Sequence, residues 1–158
     1  MIKIGDRLPE AEFITMTADG TQKFTTGTVF SGRKVVLFAV PGAFTPTCSM
    51  NHLPGFVKET DAIKAKGADT IACTAVNDVH VMNAWGRHSG ADGKVLMLAD
   101  GSGDFTKAMD LVMDGSGFGL GMRSKRYAAV LDDGVIQSLD IDEGGVSASA
   151  CEAVLEKV

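Results

Sequence analysis

Val35-Val36-Leu37-Phe38-Ala39-Val40-Pro41-Gly42-Ala43-Phe44-Thr45-Pro46-Thr47-Cys48 is the stretch on which the fold turns. Six apolar residues in a row read as a fully buried strand, and Pro41-Gly42 ends it. A loop with a second proline follows, and Cys48 opens a segment that reads as a helix. A cysteine in that position meets the positive end of the helix macrodipole and backbone N–H groups without partners. Both favour the thiolate, which is the reactive form. Read as packing instead, Cys48 is a small hydrophobe, since free cysteine is among the most buried residue types. Its place weighs against that, because α/β folds put ligands where a core strand passes into a helix.

Working outward, Phe13 to Thr17 and Thr21 to Phe24 flank Asp19-Gly20 and predict an N-terminal hairpin. Gly27, Ser31 and Gly32 break the pattern before the strand at 35–40. Leu53, Phe56, Val57 and Ile63 share one helical face. Pro54 interrupts it, which predicts a kinked helix from about Cys48 to Lys66 with Gly67 as its C-cap. Thr70 to Val76 predicts the second core strand, with Asn77-Asp78 capping a short helix marked by Val79, Met82 and Trp85. Val95 to Ala99 predicts a third strand, and Phe105, Ala108, Met109 and Val112 a further helix. Asp114 to Gly121 is too rich in glycine for anything but loop. Arg126 to Leu131 and Val135 to Ile141 flank Asp132-Asp133-Gly134, a hairpin signal. Ser149-Ala150-Cys151-Glu152 has the form of a capping box opening a terminal helix.

Strands alternating with helices, closed by an antiparallel hairpin, predict an α/β fold. A thioredoxin-like architecture fits: a central mixed β-sheet with helices on both faces and an added N-terminal β-hairpin. The 158 residues suit one domain, 1–158, large enough to bury a core without disulfide or metal. A net charge of −5 disfavours nucleic acid and anionic membrane as partners. No run approaches the length of a membrane span, and the first ten residues lack the apolar region of a signal peptide. Three dispersed cysteines, Cys48, Cys73 and Cys151, fit a reducing cytoplasm better than a disulfide framework.

Thr45 stands three residues before Cys48, within reach of the sulfur or of an oxygen held beside it; as an N-cap it would serve the same helix end. No C-x-x-C is present, since Thr45 fills the place of a first cysteine. His52, four residues after Cys48, reads as a base for the thiol or as a structural histidine, and the structural reading is preferred because a helix-start cysteine needs no base. His80 and His88 have no metal-ligand spacing, so no metal is expected. Cys73 alternates with Ile71 and Ala75 as sheet core. Cys151 shares a helical stripe with Val154, Leu155 and Val158.

Pro41-Gly42-Ala43-Phe44-Thr45-Pro46-Thr47-Cys48-Ser49, followed by His52-Leu53-Pro54-Gly55-Phe56, resembles the active-site signature of type II, or peroxiredoxin-five-like, peroxiredoxins. The likeness extends to Val76-Asn77-Asp78, Val81-Met82, Ala84-Trp85 and the run Gly119 to Tyr127, nearly the whole chain. The resemblance implies that Cys48 is the peroxidatic cysteine, that Thr45 and Pro41 complete its pocket, and that Arg123 is the active-site arginine. It implies reduction of hydrogen peroxide and organic hydroperoxides to water and alcohols through a Cys48 sulfenic acid, with no cofactor. Phe44, Leu120 and Phe118 would then offer an apolar wall to an alkyl chain. Some relatives resolve the sulfenic acid with a C-terminal cysteine, and Cys151 falls about three residues, roughly one helical turn, beyond that position. A one-cysteine cycle recycled by glutathione or glutaredoxin is therefore expected. A Cys48–Cys151 disulfide reduced by thioredoxin, and a redox sensor without turnover, are the alternatives. Relatives form homodimers through an edge near the active-site loop, and the same is expected here.

Overall fold

The structure, a computed structural model, describes residues 1–46, 52–143, 146–147 and 149–158. The expected start of a helix at Cys48 therefore lies outside the described residues. Among those residues, seven strands form one mixed sheet. Along the chain these are β1 (Glu12–Thr17), β2 (Gly20–Thr25), β3 (Lys34–Ala39), β4 (Thr70–Ala75), β5 (Leu96–Ala99), β8 (Arg126–Asp132) and β9 (Val135–Asp142), in the spatial order β2-β1-β5-β4-β3-β8-β9. The strands β3, β4 and β5 run parallel, while β1 and β8 join them antiparallel from either side. Two further strands, β6 (Val112–Asp114) and β7 (Met122–Ser124), pair with each other as a separate ribbon.

The run at 35–40 is central because its residues bury both ways. Val35, Leu37 and Ala39 join the core beneath α1 (Thr26–Phe30) and α5 (Asp104–Ala108), with Phe30 and Phe105. Val36, Phe38 and Val40 join the opposite core, which is covered by α2 (Leu53–Lys58), α3 (Thr60–Ala65), α4 (Val79–His88) and α6 (Cys151–Leu155). Phe38 and Phe56 stack there with ring centroids 4.0 Å apart. Each ring is fully buried, a contribution of about 1.5–3 kcal/mol apiece. Helices thus flank the sheet on both faces, and both hairpins form as the sequence predicts. Asp133 and Gly134, with φ of 52° and 77°, make the second turn.

Four local expectations are corrected. The segment after Cys48 breaks at Glu59, between α2 and α3, instead of running on to Lys66; the turn before Pro54, on which the expected kink rests, lies outside the described residues. Thr60 Oγ1 donates to the carbonyls of Phe56 and Val57 at that break, 3.0 Å from each. The helix after Phe105 stops at Ala108 instead of reaching Val112, because Asp110 turns left-handed (φ 56°) and Val112 pairs with Ser124. The stretch broken by Gly27 holds the helix α1, capped by Thr25. Ser149 is not the cap of α6; Ala150 is, and the Ser149 hydroxyl goes to Asp142 instead.

Candidate active site

The chain leaving β3 is held by backbone and side chain before it reaches residue 46. Val40 N–H donates to the Thr74 carbonyl at 3.2 Å, extending the β3–β4 ladder by one bond. Ala43 N–H then donates to Asn77 Oδ1 at 2.9 Å, and Thr45 Oγ1 donates to the Gly42 carbonyl at 2.7 Å. Between these anchors Phe44 takes φ 63°, a left-handed conformation costing about 1–2 kcal/mol in a residue with a side chain. Strain of that kind persists only where neighbouring contacts fix it. Here the Asn77 and Thr45 bonds do so from either side.

Arg123 comes to this loop from the β6–β7 ribbon, where it pairs with Met113. Its Nε donates to the Leu120 carbonyl at 2.9 Å, which orients the guanidinium. That carbonyl is presented by a compact glycine loop in which Gly115 N–H donates to the Gly121 carbonyl at 2.7 Å. A Cβ on Gly115 would stand 2.9 Å from Leu120 Cβ, so the loop closes only over glycine. The far end of the guanidinium lies over Gly42. A Cβ there would meet Arg123 Nη1 and Thr45 Cγ2, each at 3.1 Å.

Of the residues singled out in the sequence, the fold therefore brings Thr45 and Arg123 together around Gly42, beside a half-buried Pro41. Cys48 and Thr47 lie outside the described residues. Phe44 is 49% exposed, with its ring 5.9 Å from that of His88, and Phe118 is 87% exposed on a short 3₁₀ turn, Ser116–Phe118. Leu120 is half-buried. Because the Thr45 hydroxyl hydrogen is committed to Gly42, its oxygen offers lone pairs to an incoming O–H group. Arg123 offers fixed donors to an oxygen that gains negative charge. Among the described residues no cluster of three His, Cys, Asp or Glu is placed to hold a metal ion, and no helix is long and apolar enough to cross a membrane.

Asn77 was read only as part of a cap. Asp78 does the capping, accepting from Val81 N–H at 2.9 Å, while Asn77 faces the loop at Ala43. His52, read as structural, is fully enclosed, but the partners that hold it were not foreseen. Its Nε2 lies 3.0 Å from the Ser149 carbonyl and its Nδ1 2.8 Å from Arg126 Nη1. The signal that could have found it is Arg126, a cation at the start of the otherwise apolar strand β8. Cys151 is 2% exposed against α2, and burial, with Glu152 and Glu59 nearby, pushes its thiol up to about 12. Cys73 is fully buried in the sheet.

A thioredoxin-like sheet that delivers a loop, a threonine and an arginine to one point defines the class. Residues 3–155 match the family model described as Redoxin. A chloroplastic peroxiredoxin-2E-2 of Oryza sativa subsp. japonica is 48% identical over 161 residues, covering 98% of this chain and 72% of the relative. Peroxiredoxin-2B of Arabidopsis thaliana is 42% identical, with 91% and 90% covered. Reduced Prx3 in complex with H2O2 from Vibrio vulnificus superposes with a TM-score of 0.95 at 48% identity, covering 99% of this chain and 98% of that one. The chain belongs to the peroxiredoxins, thiol peroxidases, and within them to the type II, peroxiredoxin-five-like kind.

Proposed function

We propose that this peroxiredoxin reduces hydrogen peroxide and organic hydroperoxides at Cys48 in a one-cysteine cycle recycled by glutathione or glutaredoxin. The Cys48 thiolate attacks one peroxide oxygen and the O–O bond breaks. The departing oxygen takes a proton and leaves as water or alcohol, and Cys48 is left as the sulfenic acid. Thr45 Oγ1 accepts the hydrogen of the peroxide O–H, and Arg123 stabilises the charge on the departing oxygen. A glutathione thiol then condenses with the sulfenic acid, forming a mixed disulfide and releasing water. A second thiol attacks that disulfide and returns Cys48.

The observation that carries this reading is the convergence of Arg123 and Thr45 on Gly42, in the loop that leads to Cys48 six residues further along the sequence. The one-cysteine form is supported by the burial of Cys151 and its raised thiol pKa, since a resolving thiol must reach the sulfenic acid and react. The copy-to-copy contact of a homodimer is proposed at Phe44, Phe118 and Met122, large apolar residues left 49%, 87% and 55% exposed. The reducing cytoplasm is the compartment the three dispersed cysteines fit.

Mass spectrometry after one equivalent of peroxide, without reductant, tests the cycle. Sulfenic acid on Cys48 alone is expected, with many turnovers once glutathione and glutaredoxin are added. A Cys48–Cys151 disulfide would replace this cycle with the thioredoxin-dependent one. A single turnover per site with every reductant would make the protein a sensor, and an unmodified Cys48 would overturn the reading.

A further inference from the structure

The cycle above leaves Cys151 without a task, and the structure gives that thiol a closure of its own. Cys151 opens α6, and its Cβ lies 3.7 Å from where a Cβ on Gly55 of α2 would stand. Two serines before α6, Ser147 and Ser149, are gathered on Asp142 at the end of β9. Ser147 and Ser149 each give that carboxylate a backbone N–H and a hydroxyl, at 3.0 and 2.9 Å from Ser147 and 2.9 and 2.6 Å from Ser149. Burial opposes the Asp142 charge, but these four bonds outweigh it and hold the carboxyl well below the usual range.

Ser149 is held a second time, by His52. The ring is 1% exposed, with centroids 5.0 Å from Phe38 and 5.6 Å from Phe56. Its Nδ1 faces Arg126 Nη1, which only donates, so Nε2 carries the proton and donates it to the Ser149 carbonyl. His52 immediately precedes α2, Arg126 begins β8, and Ser149 stands two residues before Cys151. One imidazole thus ties the helix against which Cys151 packs, the sheet, and Ser149, two residues before Cys151.

We propose that His52 is a latch: its bond to the Ser149 carbonyl keeps Cys151, two residues further on, packed against α2 and withholds that thiol from chemistry. In combination with the cycle proposed above, the chain uses one cysteine because the second is shut in. His52 is on this reading a positioning residue, acting through Ser149. The closure itself belongs to the resting protein and is tested there, without peroxide.

Two variants in a Cys48→Ser background separate the latch from general packing. In His52→Asn the amide oxygen takes the place of Nδ1 and keeps an acceptor for Arg126, but no donor reaches Ser149. In His52→Gln the amide nitrogen takes the place of Nε2 and keeps the donor. Alkylation at pH 8, followed by peptide mapping, reads Cys151 with Cys73 as the internal control for the core. Cys151 in His52→Asn should react at least about tenfold faster than in the parent and in His52→Gln within about threefold of it, with Cys73 unchanged; that spread corresponds to roughly 1.4 kcal/mol. Equal Cys151 rates in His52→Asn and the parent would overturn the latch, as would equal acceleration in the two His52 variants. Should His52→Asn loosen the whole fold, Cys73 accelerates as well, and the Ser147→Ala/Ser149→Ala double variant decides. It empties the Asp142 cluster of hydroxyls but leaves the Ser149 carbonyl to His52. A Cys151-to-Cys73 rate ratio within about threefold of the parent's supports the latch. A tenfold rise in that ratio would assign the closure to Asp142 instead. Turnover of Cys151→Ser with glutathione tests the one-cysteine cycle separately, so the two readings fail in different experiments.

Discussion

Arg126 Nη1 stands 2.8 Å from His52 Nδ1, and a guanidinium has only hydrogens to give, so that ring nitrogen carries none. The folded protein therefore holds His52 neutral. Burial is the main cause, and Arg126 pushes the same way against the Ser149 bond and Asp142, which leaves the imidazole pKa lowered to about 4.

This gives folding stability a defined pH dependence. Unfolded, His52 takes up its proton near pH 6.5; folded, it does so only near pH 4. Between those values the unfolded state binds more protons, so stability is complete above pH 6.5 and falls as the pH is lowered towards 4. The full loss is about 3 kcal/mol. Asp142, whose carboxyl is held low, adds its own loss only below the ordinary carboxylate range. Urea unfolding at pH 7.5, 5.5 and 4.5 should show the decline in the parent and a flatter profile in His52→Gln. Parallel profiles would mean that another group titrates.

How far the sequence led is clearest at the residues themselves. Val35 to Val40 could be read because burial on both faces leaves an unbroken apolar run, and Asp133-Gly134 because its turn needs positive φ. Arg123 was legible through family likeness alone; its pattern in the chain is that of any surface cation. Its actual hold depends on a ribbon of three-residue strands and a glycine loop, whose pairing is non-local and leaves no period in the sequence. Asn77 and Ser149 misled for a related reason. Side chains of these types satisfy caps and tertiary partners equally well, and only the assembled fold decides between the two.

Gly42 is the position where adding one methyl group should harm chemistry more than stability. A Cβ there would stand 3.1 Å from Arg123 Nη1 and from Thr45 Cγ2, so the guanidinium must give by a few tenths of an ångström. Misplacing a positioning group by about 1 Å costs about a hundredfold. Gly42→Ala should accordingly lower kcat/KM for hydrogen peroxide by roughly tenfold, with the unfolding midpoint in urea nearly unchanged. An equally active Gly42→Ala protein would show that the contact between Arg123 and the loop does not set the rate.

Replacing Arg123 by lysine keeps the charge and removes the geometry. Lysine has no Nε to hold the Leu120 carbonyl at 2.9 Å and no planar fork to turn towards the loop. Loss of a fixed donor to a developing oxyanion lowers the rate by about 10²–10³. Arg123→Lys should therefore fall by that factor in kcat/KM, close to Arg123→Ala, while thermal unfolding moves little because the side chain is only half-buried. Near-complete rescue by lysine would reduce the role of Arg123 to charge alone.

Phe118 separates the proposed copy-to-copy contact from a role confined to one chain. Its ring is 87% exposed, and two further large apolar residues are exposed, Met122 at 55% next to Arg123 in the chain and Phe44 at 49% in the loop that Arg123 meets at Gly42. In a two-fold dimer the residue is used twice, once by each copy. Burying a phenylalanine side chain contributes about 1.5–3 kcal/mol, so a charge in both places should cost the dimer about 4 kcal/mol or more, a thousandfold in Kd. Sedimentation equilibrium should find Phe118→Glu monomeric at concentrations where the parent is dimeric, with the circular dichroism of the fold intact. An unchanged dimer in Phe118→Glu would move the contact to another face. Faster loss of activity towards bulky hydroperoxides than towards hydrogen peroxide in Phe118→Ala would then return Phe118 to the substrate wall, alongside Leu120.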